Sequence, residues 1–144
     1  MSSKKKNFKL KYFHLCDFAS VTADGKTNYG KTNLLGIFEK IVVRKLPTTI
    51  PHIYIVFNIE STTNNELPFD LALKGSSGKE LFAQKIEGRL DIPEGKKLAT
   101  INGIVQINNL PIKEVGEYEL LLSCGDELIA KEKLIVEQLP QKDE

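Results

Sequence analysis

Residues 25–32 carry a motif that is typical of phosphate binding. They run Gly-Lys-Thr-Asn-Tyr-Gly-Lys-Thr and match the Walker A pattern, in which two glycines with four residues between them precede a lysine and a hydroxyl residue. In such a site the backbone around Gly25 and Gly30 cradles phosphates. Lys31 would then reach the β- and γ-phosphates, and Thr32 would bind magnesium.

The same residues have a simpler explanation as a duplicated turn. The segment is a tandem repeat, because Gly-Lys-Thr-Asn occurs at 25–28 and again at 30–33, and duplication at this spacing generates the pattern automatically. A phosphate loop also needs a buried parallel strand before it and a long helix after it. We therefore predict a hairpin loop and no cofactor. A nucleotide-binding or hydrolysing site formed by Gly25, Gly30, Lys31 and Thr32 is the alternative.

A second set of residues could in principle form a metal shell or a nucleophilic site. His14 and Cys16 lie on the same side of a predicted strand, and Asp17, His52 and Cys124 could join them. However, the spacing contains no ligand pairs of the kind that metal sites use, and no motif orients a cysteine against a histidine. We therefore predict no metal site, no catalytic residue and no enzymatic activity.

Composition and net charge select no class of partner. The chain has 144 residues and a formal net charge of +1, which gives no large field to attract nucleic acid or anionic membrane. Two cysteines are too few for a disulfide framework, so a reduced, cytoplasmic location is expected. We predict one domain over residues 9–138, with a basic disordered tail at 1–8 and a second disordered tail at 139–144.

Short apolar stretches of period two, separated by Gly, Pro and Asn clusters, predict an all-β sandwich. Eight strands are expected, at about residues 10–21, 33–43, 52–60, 69–73, 80–86, 98–107, 118–122 and 128–136. The stretch 52–60 is apolar on both faces and should be central. The first strand begins near Lys9 and Lys11, charges of the kind that protect an exposed sheet edge, so we place it at an edge that could pair with a partner beyond Phe13. In the last strand Leu128, Ala130, Leu134 and Val136 share one parity and should share one face.

The segment 33–43 also satisfies the spacing of a helix face. Its apolar residues recur at three- and four-residue intervals: Leu34, Ile37, Phe38, Ile41 and Val42. Gly36 and the β-branched run at 41–43 favour a strand.

The spacing of four residues near the end of the chain resembles the tyrosine corner of immunoglobulin-like sandwiches. Leu110, Glu114 and Gly116 precede Tyr118 by eight, four and two residues. In that corner the tyrosine hydroxyl bonds back to upstream backbone and fixes a crossover between the two sheets. Leu110, Gly116 and Tyr118 are therefore expected to have structural roles in a single immunoglobulin-like antiparallel β-sandwich.

Three further stretches resemble an uncharacterised family of small bacterial proteins. They are Cys-Asp-Phe-Ala at 16–19, Gly-Lys-Thr-Asn at 25–28 and Gly-Ile-Phe-Glu at 36–39, and Gly-Glu-Tyr at 116–118 completes the pattern. The similarity covers about residues 12–136, and the departure is the second Gly-Lys-Thr-Asn copy, where the family pattern has one. The resemblance implies the sandwich and implies no activity.

A β-sandwich without a catalytic motif most often works by presenting a sheet edge or loops to a partner. We expect a non-catalytic, cytosolic interaction or accessory module of a bacterium, with an unidentified protein or a second copy as partner, and with neither nucleic acid nor membrane. Besides the nucleotide alternative, recognition of a small ligand or glycan by the loops stays open.

Overall fold

The computed structural model describes residues 8–23, 30–61, 66–89, 95 and 99–140. The described chain is built from strands, without a helix. Their bounds are β1 (Phe8–Ala23), β2 (Gly30–Phe38), β3 (Lys40–Val43), β4 (Thr48–Ser61), β5 (Glu66–Lys74), β6 (Glu80–Arg89), β7 (Ala99–Ile112), β8 (Gly116–Cys124) and β9 (Glu127–Gln138). The all-β prediction is therefore confirmed.

The strands form two sheets that pack as a sandwich. One sheet has the order β2-β1-β4-β7 and the other β3-β9-β8-β5-β6. Within them β1-β4-β7 reproduces the A-B-E neighbours of an immunoglobulin sandwich, and β5-β8-β9 reproduces C-F-G. Strands β2 and β3 are additions, one at an edge of each sheet. The pairing is antiparallel except for β3, which runs parallel to β9. The protein is thus an immunoglobulin-like β-sandwich.

The core lies between the sheets and is filled by alternate residues of the central strands. β4 contributes Ile53, Ile55, Phe57 and Ile59, all at most 1% exposed. Its central position is confirmed, because it pairs with β1 on one side and β7 on the other. Opposite Phe57 stands Gly103, where a Cβ would overlap the phenylalanine ring.

A second, smaller cluster on the first sheet explains why β4 is apolar on both faces. Val56 is buried there with Cys16 and Ala19, and Tyr54 packs against the group. Burying a valine such as Val56 contributes roughly 1.5–3 kcal/mol to the free energy of folding. This satellite cluster therefore holds β1 against β4 independently of the core.

The predicted strand at 33–43 is two strands in different sheets. β2 ends at Phe38, and the chain then crosses to the second sheet, where the Glu39 carbonyl accepts a 3.0 Å hydrogen bond from the Ile135 amide. Strand rather than helix is confirmed, but the single continuous strand is wrong. The apolar run keeps its β character across the crossover, so the pattern carries no mark of the change of sheet.

The placement of β1 at an edge is correct for one half of the strand. β4 pairs with Phe8–Cys16, whereas β2 pairs only with Leu15–Ala23, so in the described chain the half that contains Lys9 and Lys11 has a single neighbour. Beyond Phe13 the predicted pairing site is wrong, because β2 already covers that edge.

Other boundaries differ from prediction by small shifts. Phe8, placed in the tail, is the first residue of β1, and its ring packs edge-on against Phe69. Leu139 donates a 2.9 Å backbone hydrogen bond to Val43. The remainder of both predicted tails, 1–7 and 141–144, lies outside the described residues.

The prediction for the face of Leu128 is wrong. This side chain is 55% exposed and does not share the buried face of β9. The reason is that the β8–β9 register shifts between Leu122 and Ser123, which reverses the parity before Ala130.

Candidate partner-binding surface

Tyr118 lies at the crossover from β7 to β8 and closes that end of the sandwich. It is fully buried, and its hydroxyl donates a 2.6 Å hydrogen bond to the carbonyl oxygen of Glu114. Burial raises the pKa of this hydroxyl, which keeps it protonated as the donor. Leu110, 1% exposed, packs into the core. Gly116 has a φ of 130°, and a Cβ there would lie 2.7 Å from the Cβ of Ser76.

The loop between β5 and β6 forms hydrogen bonds to this crossover from outside. The Ser77 amide donates a 3.1 Å bond to Glu114 Oε1, and the Ser76 hydroxyl donates a 3.0 Å bond to the Val115 carbonyl. Hydrogen bonds from Ser77 lower the pKa of the Glu114 carboxyl, and a hydrogen bond from Ser76 adds a smaller effect in the same direction. We call this region, residues 75–79 with Leu110 and 113–118, the closed end. Its polar groups are hydrogen-bonded within the fold, and Leu110, Gly116 and Tyr118 lie together in it.

The phosphate-loop alternative falls partly outside the described chain. Gly25 is not described, whereas Gly30, Lys31 and Thr32 open strand β2 and pair with residues 23, 22 and 21 of β1. A Walker A lysine and threonine stand instead at the N-terminus of a helix. The backbone geometry around Lys31 and Thr32 is therefore that of an antiparallel hairpin.

The cysteines and histidines considered as ligands are not brought together. Cys16 is buried in the satellite cluster, and Cys124 belongs to the main core. Burial raises the pKa of both thiols, which keeps them as poorly nucleophilic thiols. His14 stacks on Tyr12, and His52 lies on the outer face of β4 within hydrogen-bond distance of Asn108, at 3.0 Å. Within the described ranges, no group of three or more His, Cys, Asp or Glu residues could hold a metal ion.

A cleft adjoins the closed end, where β1 and β4 separate; Ile50 lines the cleft and pairs with Leu110 of the closed end. The pairing of β1 with β4 stops at Cys16 and Tyr54, after which β1 continues with β2 as its only described neighbour and β4 continues with β7. The space that opens has a volume of about 620 Å³. Its lining comes from four segments: Asp17, 36–38, 40–45 and 48–53.

Exposed apolar side chains concentrate around this cleft. Ile37 and Val42 line it with 54% and 48% exposure. Phe18 and Leu35 stand opposite each other on β1 and β2 with 46% and 64% exposure. The Phe18 ring contacts Tyr54 edge-on, at 5.4 Å between centroids. We call the cleft with these four side chains the open side.

Sequence reasoning missed the open side as a functional candidate. The apolar residues of the segment 33–43 were visible, but alternation predicts a buried face and does not reveal whether anything covers it. The ambiguous helix-or-strand pattern of this segment was the one sign in the sequence that it differs from an ordinary core strand. In the structure this segment contributes a strand to each of the two sheets, and part of its apolar surface stays uncovered.

The charged groups that line the cleft are mostly basic. Lys40 forms a 2.7 Å ion pair with Glu137. Arg44 and Lys45 are exposed, and within the described part of the chain no carboxylate pairs with either. Asp17 is the carboxylate among the described lining residues. The open side therefore combines apolar surface with two cations that have no carboxylate partner among the described residues.

Comparisons with known proteins agree with the fold. A solved structure of the alkylpurine DNA glycosylase AlkC from Pseudomonas fluorescens, bound to DNA containing an abasic site analogue, matches with a TM-score of 0.53 and 12% identity. That match covers 91% of this chain and 30% of the glycosylase chain. An immunoglobulin-like protein from Pseudomonas aeruginosa matches with a TM-score of 0.45 and 12% identity, over 93% of this chain and 99% of the other.

No curated protein matches the chain. A search of the described residues for a helix long and apolar enough to cross a membrane finds none. The model of one family of unknown function, DUF6941, matches residues 11–137. The expected kinship with an uncharacterised family is thereby confirmed, and the chain belongs to DUF6941.

Proposed function

We propose that this protein is a non-catalytic interaction module of the bacterial cytoplasm, which binds a protein partner through its open side. The observation that carries the proposal is the exposure of Ile37 and Val42 within one cleft, with exposed Phe18 and Leu35 next in sequence to two of its lining residues. Large exposed apolar side chains that gather in one region mark interaction sites more often than scattered ones do. Among the other exposed large hydrophobics of the described chain, Leu128 lies on β9, Val115 between β7 and β8, and Leu139 just beyond β9.

Two further features support this proposal over a chemical role. Both thiols have raised pKa values and are buried, so neither is poised as a nucleophile. The closed end uses its serines, glutamate and tyrosine for internal hydrogen bonds. The open side, in contrast, offers shape, apolar area and unpaired charge, which are the properties of a recognition surface.

The test is a quantitative pull-down from the native cytosol under mild crosslinking, with three versions of the tagged protein. The wild type is compared with the double variant Leu35→Asp/Ile37→Asp and with Leu128→Asp as the matched control. Leu128 is equally exposed but lies near the other end of β9 from the strand that borders the cleft. We expect one partner to be recovered with wild type and with the control, and to fall at least about tenfold with the double variant, as for loss of an interface anchor.

Recovery of the same proteins with all three versions would contradict the proposal. Light scattering of the purified protein over a range of concentrations identifies the second-copy case, since a dimer through the open side would dissociate in the double variant and persist in Leu128→Asp. The nucleotide alternative is tested in parallel by calorimetric titration of ATP with magnesium into the wild type and Lys31→Ala. Because Lys31 lies in an antiparallel strand, we expect no heat of binding with either.

A further inference from the structure

We infer that the cleft is a strand-addition site for an extended, acidic segment of the partner, which would pair with the free edge of β4. This inference rests on the proposed function and adds to it the conformation and the charge of what is bound.

The first argument is that β4 presents an edge to the cleft. Thr48–Ile53 pairs with β7 on one side, and on the other side the described chain supplies no strand. All six successive residues line the cleft. Since alternate residues of a strand point to opposite faces, a continuous run of lining residues means that the edge itself faces the space. The backbone groups that do not pair with β7 are therefore available to another strand.

The composition of this edge agrees with its position. Pro51 lies within Thr48–Ile53, and proline is tolerated in strands mainly where one edge is free, because it has no N–H to donate. Six residues at about 3.3 Å each give an edge about 20 Å long. That length suits a segment of five or six residues, the size at which peptide strands add to sheets with side chains alternating between pockets and solvent.

The second argument is the chemistry on either side of that edge. Ile37 and Val42 supply apolar contacts for one set of alternate side chains. Arg44 and Lys45 are exposed, and in the part of the chain that is described they have no acidic partner. Lys40 is neutralised by Glu137, and Asp17 is the one carboxylate among the described lining residues. The local excess of positive charge favours an acidic ligand and disfavours a basic one.

The test begins with a display library of random 12-residue peptides, selected on the intact wild-type protein. The enriched peptides are synthesised with a fluorophore, and their affinities are measured by fluorescence polarisation. Each is also made with N-methyl groups on all internal residues, which keeps charge and side chains but removes the backbone donors whichever edge of the peptide faces β4. Two variants are compared: Arg44→Glu/Lys45→Glu, and Lys79→Glu/Lys85→Glu, which makes the same change in net charge on β6 and the loop before it, at the other edge of the second sheet from β3.

We expect enriched peptides in which Asp or Glu alternates with apolar residues. Their affinity should fall at least about tenfold with Arg44→Glu/Lys45→Glu and should weaken with added salt, as for rim charges. It should be nearly unchanged with Lys79→Glu/Lys85→Glu and should be lost on N-methylation. Enrichment without acidic residues, equal effects of the two variants, or unchanged binding after N-methylation would each overturn the inference.

The outcomes separate this inference from the proposed function. If the partner is lost with Leu35→Asp/Ile37→Asp but retained with Arg44→Glu/Lys45→Glu, and no acidic peptide binds, the interaction module stands and strand addition falls. If a second copy occupies the cleft, the light-scattering dimer dissociates with the charge variant, and the inference of a separate acidic partner falls. If acidic peptides bind as expected but no partner is recovered from the cytosol, the cleft chemistry stands and the proposed cellular role fails.

Discussion

The closed end and the open side of this sandwich use similar kinds of residue for opposite purposes. At the closed end Tyr118, Glu114 and Ser77 are hydrogen-bonded to one another or to nearby backbone, and Leu110 is buried. On the open side Leu35 is mostly exposed, and Arg44 has no carboxylate partner in the described chain. A region whose groups are mutually satisfied stabilises a fold, whereas a region with surplus apolar surface and charge is suited to binding. Substitutions in the two regions should therefore affect different measurements.

Leucine truncation gives the largest expected contrast. Leu110→Ala should lower the free energy of unfolding by about 2–5 kcal/mol, because it leaves a cavity in the core. Leu35→Ala should change it by less than about 0.5 kcal/mol, because its side chain is exposed. Urea unfolding at equilibrium measures both. Comparable losses for the two variants would mean that the open side is part of the cooperative core.

A glycine pair gives the next largest difference. Gly116→Ala should cost about 2–3 kcal/mol, since its φ of 130° is unfavourable for alanine and the new Cβ meets Ser76. Gly36→Ala, on the open side, has a φ of 67° and meets only the exposed Asp17 side chain, so about 1 kcal/mol is expected. Thermal unfolding of both variants checks the order. A larger loss for Gly36→Ala would reverse the assignment of the two regions.

Removal of a tyrosine hydroxyl separates a buried from an exposed hydrogen bond. Tyr118→Phe should lower stability by about 1–2 kcal/mol, because the carbonyl of Glu114 loses its donor in a partly buried place. Tyr12→Phe removes an exposed 3.4 Å bond to Asn102 and should have little effect. Chemical denaturation of the two variants gives the comparison, and equal stabilities would remove the crossover bond from the account of the closed end.

The smallest expected effect is on pH dependence. Hydrogen bonds from Ser77 place the folded-state pKa of Glu114 below its unfolded value of about 4.3. The ionised Glu114 carboxyl therefore contributes its full share of folding stability above that value, and this contribution is lost as pH falls through the folded-state pKa. Wild type should therefore lose more stability than Glu114→Gln as pH falls below about 4.3. Urea midpoints measured from pH 6 to pH 3 test this, and parallel curves would contradict it.

The fold was predictable from sequence where local pattern and global structure agree. The residues around Tyr118 have a spacing specific enough to indicate a crossover, and the two-sided apolar run of β4 indicated a central strand. The change of sheet at Glu39 could not be predicted, because residues 33–43 keep the same β pattern on both sides of it. The face of Leu128 was mispredicted for a related reason, since one register shift in β8–β9 reverses all parity before it.

The candidate surface was harder to predict than the fold. Ile37 and Val42 looked like core residues because they are apolar and lie in β-forming sequence. Their exposure depends on β1 and β4 separating after Cys16 and Tyr54, which is a property of pairing between distant segments. The separation also leaves the edge of β4 uncovered, and neither the proline there nor the neighbouring arginine and lysine indicates this alone.

The parallel pairing of β3 with β9 also constrains the order in which the molecule is completed. Residues 40–43 of β3 pair with 135–138, so one border of the cleft depends on contacts between segments far apart in the sequence. Contacts between such distant segments form slowly, because the entropy cost of closing a long loop is incurred before the contacts contribute stability. The β1–β2 pair can therefore form from nearby segments, whereas the cleft takes its full shape only after β9 has paired with β3.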